Sequence, residues 1–189
     1  MIRAFDGSPV DPSQLTELCA EALRAPTAGN CAGVSMVIVP HHRVEDYFSV
    51  ATDGHWRSNA RRAPGLTRAG AVVVVLCNPA QYAARYQEAD KRSSGLGDVT
   101  AWPVPYWHGD AAMATMALLL LLTEAGLGAT FWGVFRHGEA IATLVQAPTD
   151  SVVFGSVLVG VAAPQDDPTS KSLLRVTPRR RDRVRLLGD

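Results

Sequence analysis

Ala25-Pro26-Thr27-Ala28-Gly29-Asn30 is the stretch whose reading decides the fold. Its residues are small or turn-forming, and Thr27 and Asn30 carry side chains that bond locally to backbone. The segment leaves backbone donors over and holds nothing bulky to block a flat ligand. A helical pattern precedes it. Asp11 can cap, Pro12 fits the first helical position, and Gln14 completes an acceptor-x-x-Gln box. Leu15, Leu18, Cys19, Ala22 and Leu23 then fall on one helical face, with Pro26 ending the run. Residues 34–39 read as a short buried strand stopped by Pro40.

Further along, residues 71–76 form a stronger strand, with four valines in a row between Gly70 and the Asn78-Pro79 turn. Residues 79–90 read as a helix and 91–108 as a long connection rich in Trp102, Tyr106 and Trp107. Loops of that length are usually functional or disordered, and this one is too aromatic for simple disorder. Residues 111–122 are apolar except for Thr115 and read as a helix capped by Asp110 and closed by Gly126. Because its apolar residues face every direction, protein should enclose it on all sides. An extended piece at 129–134, a helix at 139–146 and a strand at 152–161 complete the order. Helices and strands in mixed order imply an α+β sandwich.

The bulk composition narrows the function classes. A chain of 189 residues suits one domain with a sizeable core, residues 1–189 as a unit with a basic tail from about 164. Eighteen basic and eighteen acidic side chains give a formal net charge of zero, which argues against whole-chain attraction to nucleic acid or an anionic membrane. From Thr169 onward, seven Lys/Arg stand against two Asp, so the tail is a local anion attractor. Cys19, Cys31 and Cys77 are odd in number and lack C-x-x-C spacing, so a reducing cytoplasm is the expected compartment. No signal pattern opens the chain, and the apolar run at 111–122 is shorter than the roughly 18 residues of a membrane span.

Several chemistries lack their residues. Gly155-Ser156 has no second glycine for a nucleophile elbow. There is no H-E-x-x-H, Walker loop or EF-hand loop, and adjacent His41-His42 diverge on any regular element, so no metal site is expected. Gly95-Leu96-Gly97 lacks the third glycine of a dinucleotide fingerprint, and Gly126-Leu127-Gly128 follows a helix, not a strand. A chain with a ligand-shaped loop and no obvious nucleophile, base or metal cage suits an enzyme whose cofactor carries the reaction.

Taken in order, the motifs resemble the nitroreductase family of flavin-binding proteins. Ile2-Arg3-Ala4-Phe5 matches the family's R-x-F, and Ala25-Pro26-Thr27-Ala28-Gly29-Asn30 matches A-P-S-x-x-N with Thr for Ser. The Asp-led apolar helix, Gly126-Leu127-Gly128 and Trp132-Gly133 match the later part, so the resemblance spans nearly the whole chain. It implies a dimeric α/β/α sandwich around a mixed or antiparallel sheet, with bound FMN and NAD(P)H as donor. Carried over, Arg3 would hold the FMN phosphate, and Arg179 and Arg180 would close on it. Pro26, Thr27 and Asn30 would line the flavin from the partner subunit, and the Gly133 amide would face the flavin N5 edge. Trp102, Tyr106, Trp107 and His108 would select a small planar acceptor such as a nitroaromatic, quinone or enone. Two departures stand out. Only two residues precede Arg3, and Ala32-Gly33-Val34 replaces the family's Q-P-W after Asn30. Both imply altered flavin binding and leave a second reading, a flavin-sequestering or degenerate member without turnover.

Overall fold

The computed structural model describes residues 1–59 and 63–164; Arg179, Arg180 and the rest of the basic tail lie outside the described residues. The elements in chain order are α1 (Pro12–Ala22), β1 (Val34–Val39), α2 (Val44–Ala51), α3 (Gly54–Asn59) and α4 (Ala63–Leu66). They are followed by β2 (Ala71–Cys77), α5 (Pro79–Arg85), α6 (Tyr106–Glu124), β3 (Gly128–Trp132), α7 (Gly138–Leu144) and β4 (Val152–Gly160). The strands form one sheet in the order β1-β2-β4-β3, antiparallel throughout. Of the two sheet types the sequence allowed, the antiparallel one is formed.

The valine run explains the layering. Every residue of β2 is buried, because alternate side chains enter different layers and both faces are covered. Val72, Val74 and Leu76 join Tyr47 and Phe48 of α2 and Ile141 of α7. Ala71 and Val73 join Leu15 and Cys19 of α1 and Leu118 and Leu122 of α6. The result is an α/β/α sandwich with α1 and α6 on one face and α2 and α7 on the other.

Local chemistry sets most boundaries. Asp11 caps α1 by accepting the Ser13 N–H at 2.9 Å. The helix stops at Ala22, four residues before Pro26, which disfavours helical backbone at the residue preceding it. Asn78 caps α5, whose first residue is Pro79.

One expectation is corrected. α6 begins at Tyr106, so Asp110 is not its cap; it lies inside the helix, 2% exposed. Within one chain α6 is also left partly uncovered. Met113, Met116 and Leu120, at i, i+3 and i+7, are 43%, 54% and 59% exposed. Helices α2, α3 and α4 have no counterpart in the periodicity reading: α3 and α4 are too short to show a repeat, whereas α2 carries one in Val44, Tyr47 and Phe48, buried at i, i+3 and i+4.

Candidate flavin cleft

The chain's first residues form a strap along the sheet. The Ile2 N–H donates to the Ala129 carbonyl at 2.9 Å, and Phe5 bridges Ala162 in antiparallel fashion. The Asp6 N–H donates to Val161 at 3.0 Å, and the Ala163 N–H donates to Ala4 at 3.0 Å. Phe5 is 1% exposed and locks the strap into the core. Arg3, two residues earlier, is thereby fixed half-buried beside the start of β3 and the end of β4.

Arg3 opens onto a cleft of about 780 Å³, within the range of small-molecule and cofactor sites. Gly133 lines the same cleft, delivered by the end of β3. An aromatic wall backs it. Trp56 and Trp132 have ring centroids 5.0 Å apart, and Phe48 supports both at 6.4 and 5.6 Å. Such rings offer a broad apolar surface to a planar ligand.

The charges at the rim are mixed. Arg3, Arg136 and His137 stand with Asp53 among the lining residues. Asp53 accepts the Trp56 N–H at 2.6 Å, and that bond, chiefly, holds its carboxyl below the usual carboxylate range. His55, Arg136 and His137 add to the lowering. The donor set therefore fits a planar, phosphate-bearing cofactor: guanidinium groups for the phosphate, an indole wall for the ring and the main chain of Gly133 at the edge.

Arg3 and Gly133 are thus brought together, but Pro26, Thr27 and Asn30 do not line the cleft. Their loop packs against α5 and α6. Thr27 is half-buried, whereas Pro26 and Asn30 are exposed. Gly29 and Asn30 adopt left-handed backbone, with φ of 67° and 54°, conformations that glycine and asparagine tolerate best.

The four aromatic-segment residues do not line the cleft either. Trp102 and Trp107, 8% and 9% exposed, pack around Tyr82 as part of the core. The Trp102 Nε1–H donates to the Leu96 carbonyl at 2.9 Å. Short 3-10 turns at Arg92–Ser94 and Val99–Ala101 interrupt the segment. These two indoles therefore pack into the core and plug one end of the sandwich instead of facing the cleft. Tyr106, 48% exposed, and His108 remain accessible.

Sequence reasoning missed Asp53, Trp56, Phe135, Arg136 and His137 as cleft residues. The usable signal for the last three was their position directly after Gly133. Asp53 and Trp56 follow α2, whose Val44, Tyr47 and Phe48 spacing was the signal that the sequence reading passed over. Among the described residues, no His, Cys, Asp and Glu cluster could hold a metal, and no helix is long and apolar enough to cross a membrane.

Comparison with known proteins gives the class. The model of the nitroreductase family matches residues 1–161, and the chain belongs to that family. Comparison with curated proteins finds no match. Among solved structures, a protein provisionally named NADH dehydrogenase/NAD(P)H nitroreductase from Parabacteroides distasonis superimposes with a TM-score of 0.64 at 17% identity, covering 99% of this chain and 92% of that one. A nitroreductase family protein from Streptococcus pneumoniae gives 0.63 at 16% identity, with 94% of each chain covered. CLA-ER, an enone reductase of gut-bacterial fatty acid saturation metabolism, gives 0.65 at 17% identity, covering 90% of this chain and 88% of that one. At such identities the likeness shows the fold.

Proposed function

We propose that this chain is an FMN-dependent NAD(P)H oxidoreductase, working as a homodimer on a small planar acceptor. One observation carries the reading: a single cleft joins Arg3 to Gly133, the two positions at which the family resemblance puts the flavin phosphate and ring edge. Bound there, FMN supplies reversible hydride acceptance between NAD(P)H and a nitroaromatic, quinone or enone.

The chain's own residues divide the rest of the work. Arg3 pairs with the phosphate, and Arg179 and Arg180 of the tail add charge to it. The Gly133 N–H donates towards the flavin edge where negative charge develops on reduction, a main-chain contact that needs no side chain. Trp56 and Trp132, lining the cleft, would supply the apolar wall against which the ring packs. Pro26, Thr27 and Asn30 meet the flavin of the partner subunit, since their loop lies outside the cleft of its own chain. Tyr106 and His108, exposed at the start of α6, face the acceptor across the same boundary.

Supporting the dimer is the uncovered stripe Met113, Met116 and Leu120 on α6. Obligate interfaces of this kind bury on the order of 2,000 Å² or more. Three buried free thiols suit a reducing cytoplasm.

A scan of the purified protein, followed by anaerobic NADPH, tests the function. Flavin absorbance that bleaches on addition is the expected result. Absorbance that persists favours flavin sequestration, a reading motivated by the loss of Q-P-W at Ala32-Gly33-Val34. A colourless protein that FMN cannot reconstitute removes both readings.

A further inference from the structure

The buried carboxylate of Asp110 has no part in the cleft, yet it is 2% exposed and sits inside α6. Burying an ionisable group is unfavourable unless polar partners compensate. Two partners do so here, both on the same oxygen. Asp110 Oδ2 accepts the Ala28 N–H at 2.8 Å and the Tyr82 O–H at 2.8 Å. Ala28 belongs to the A-P-T-A-G-N loop and Tyr82 to α5, so one carboxylate oxygen joins three segments distant in sequence.

Other contacts hold the back of the same loop. The Arg85 Nε–H donates to the Gly29 carbonyl at 2.9 Å. The Asn78 N–H donates to the Gly33 carbonyl at 2.8 Å, and the Tyr82 ring lies where a Cβ on Gly33 would be, 2.3 Å from Cε2. Every one of these contacts approaches from α5, its cap or α6, and Pro26 and Asn30 stay exposed. Fastened from that side, the loop presents a fixed exposed surface.

We infer that Asp110 is a positioning residue for flavin binding: through Ala28 it sets the backbone from which Thr27 and Asn30 meet the partner's cofactor. This rests on the function proposed above. Tyr82 is the second half of the device. Its hydroxyl pins the carboxylate rotamer, and burial followed by the bond to Asp110 pushes its pKa upward, so it stays a donor at any physiological pH. Because both bonds converge on Oδ2, an asparagine with its carbonyl oxygen in that place accepts both. An alanine accepts neither.

The test compares Asp110→Ala, Asp110→Asn and Tyr82→Phe with the wild type by three measurements. These are amide exchange of residues 27–31 in flavin-stripped protein, FMN and riboflavin titration, and thermal melting. Asp110→Ala is expected to speed exchange at Ala28 and weaken both flavins by about tenfold or more, since a hydrogen bond to a charged group is worth about 1.5–3 kcal/mol. Asp110→Asn is expected to stay within about threefold of wild type. If Asp110→Ala does not fold, Tyr82→Phe, which removes only the hydroxyl, carries the test, with exchange and affinity moving in the same direction. Faster exchange with unchanged flavin affinity overturns the positioning role alone, as does a lower melting temperature with neither exchange nor affinity altered. Failure of Asp110→Asn to restore affinity also overturns it. Wild-type protein that takes up no FMN overturns the proposed function and this assignment together.

Discussion

The ring of Phe135 closes over Gly133. A Cβ built on Gly133 would lie 2.9 Å from the Phe135 Cζ, inside any normal contact. Phe135 is itself 95% exposed, so its ring can swing aside at little energetic cost. Gly133→Ala is therefore expected to leave the melting temperature nearly unchanged, as surface substitutions do within about 0.5 kcal/mol. The added methyl and displaced ring would nevertheless intrude at the proposed flavin edge. Anaerobic stopped-flow with NADPH should show flavin reduction slowed about tenfold or more, the scale of small misplacements at a reacting centre. An unchanged rate would remove Gly133 from that edge.

Arg3 offers a test of the phosphate contact. Arg3→Ala is expected to weaken FMN binding by about 1.5–3 kcal/mol while riboflavin, which lacks the phosphate, binds as before. Fluorescence titration of both flavins decides it. Equal losses would mean that Arg3 serves the folding of the N-terminal strap and not the phosphate.

The aromatic segment separates into two kinds of residue. Trp107, buried beside Tyr82 and Trp102, is core, and Trp107→Ala is expected to destabilise by about 3–5 kcal/mol. Tyr106 is 48% exposed, so Tyr106→Ala should cost under about 1 kcal/mol and alter KM for the acceptor instead. Thermal melts beside steady-state kinetics distinguish these outcomes. A Trp107→Ala protein with wild-type stability would mean that Trp107 is not core and would return it to the acceptor site.

How much of this was legible in the sequence depends on length and on burial. β1 occupies the span its apolar run marks, and β2 differs by one residue, because β-branched residues between turn signals have few alternatives. By contrast α3 and α4, six and four residues long, are shorter than two helical turns, and no 3.6-residue repeat can show in them. Trp102 and Trp107 misled because an indole in a proline-rich segment looks the same whether it plugs a core or faces a ligand. Arg3 and Gly133 were named from motifs, and their shared cleft is a fact of the fold. Asp53 and Trp56 had no motif to name them.

Acid should loosen the loop's support from α5. Both Arg85 guanidinium arms donate to Asp90 at 2.8 Å, and Arg85 also donates to Gly29. The Arg85–Asp90 pairing, chiefly, lowers the Asp90 pKa from 3.8 to about 2. A carboxyl lowered on folding stabilises fully above its unfolded value and loses that contribution as pH falls through the folded one. The melting-temperature gap between wild type and Asp90→Asn is thus expected in full above pH 4, narrowing as pH falls through about 2 and closing below it. A gap that persists at the lowest pH would show that the substitution acts through something other than the carboxylate charge.

A flavin shared between subunits, gripped by Arg3 and Gly133 of one chain and by Thr27 and Asn30 of its partner, is most directly tested by subunit mixing. Arg3→Ala and Asn30→Ala proteins are purified, unfolded together, refolded and titrated with FMN. In a mixed dimer, one site then carries both defects and the other carries neither, by the two-fold symmetry of such assemblies. The expected result is wild-type affinity and NADPH bleaching at about half the sites of each mixed dimer, although neither parent shows them. If Arg3 and Asn30 of one chain served the same flavin, every site in the mixture would keep one defect. No site of wild-type affinity would then appear, and the shared site would be contradicted.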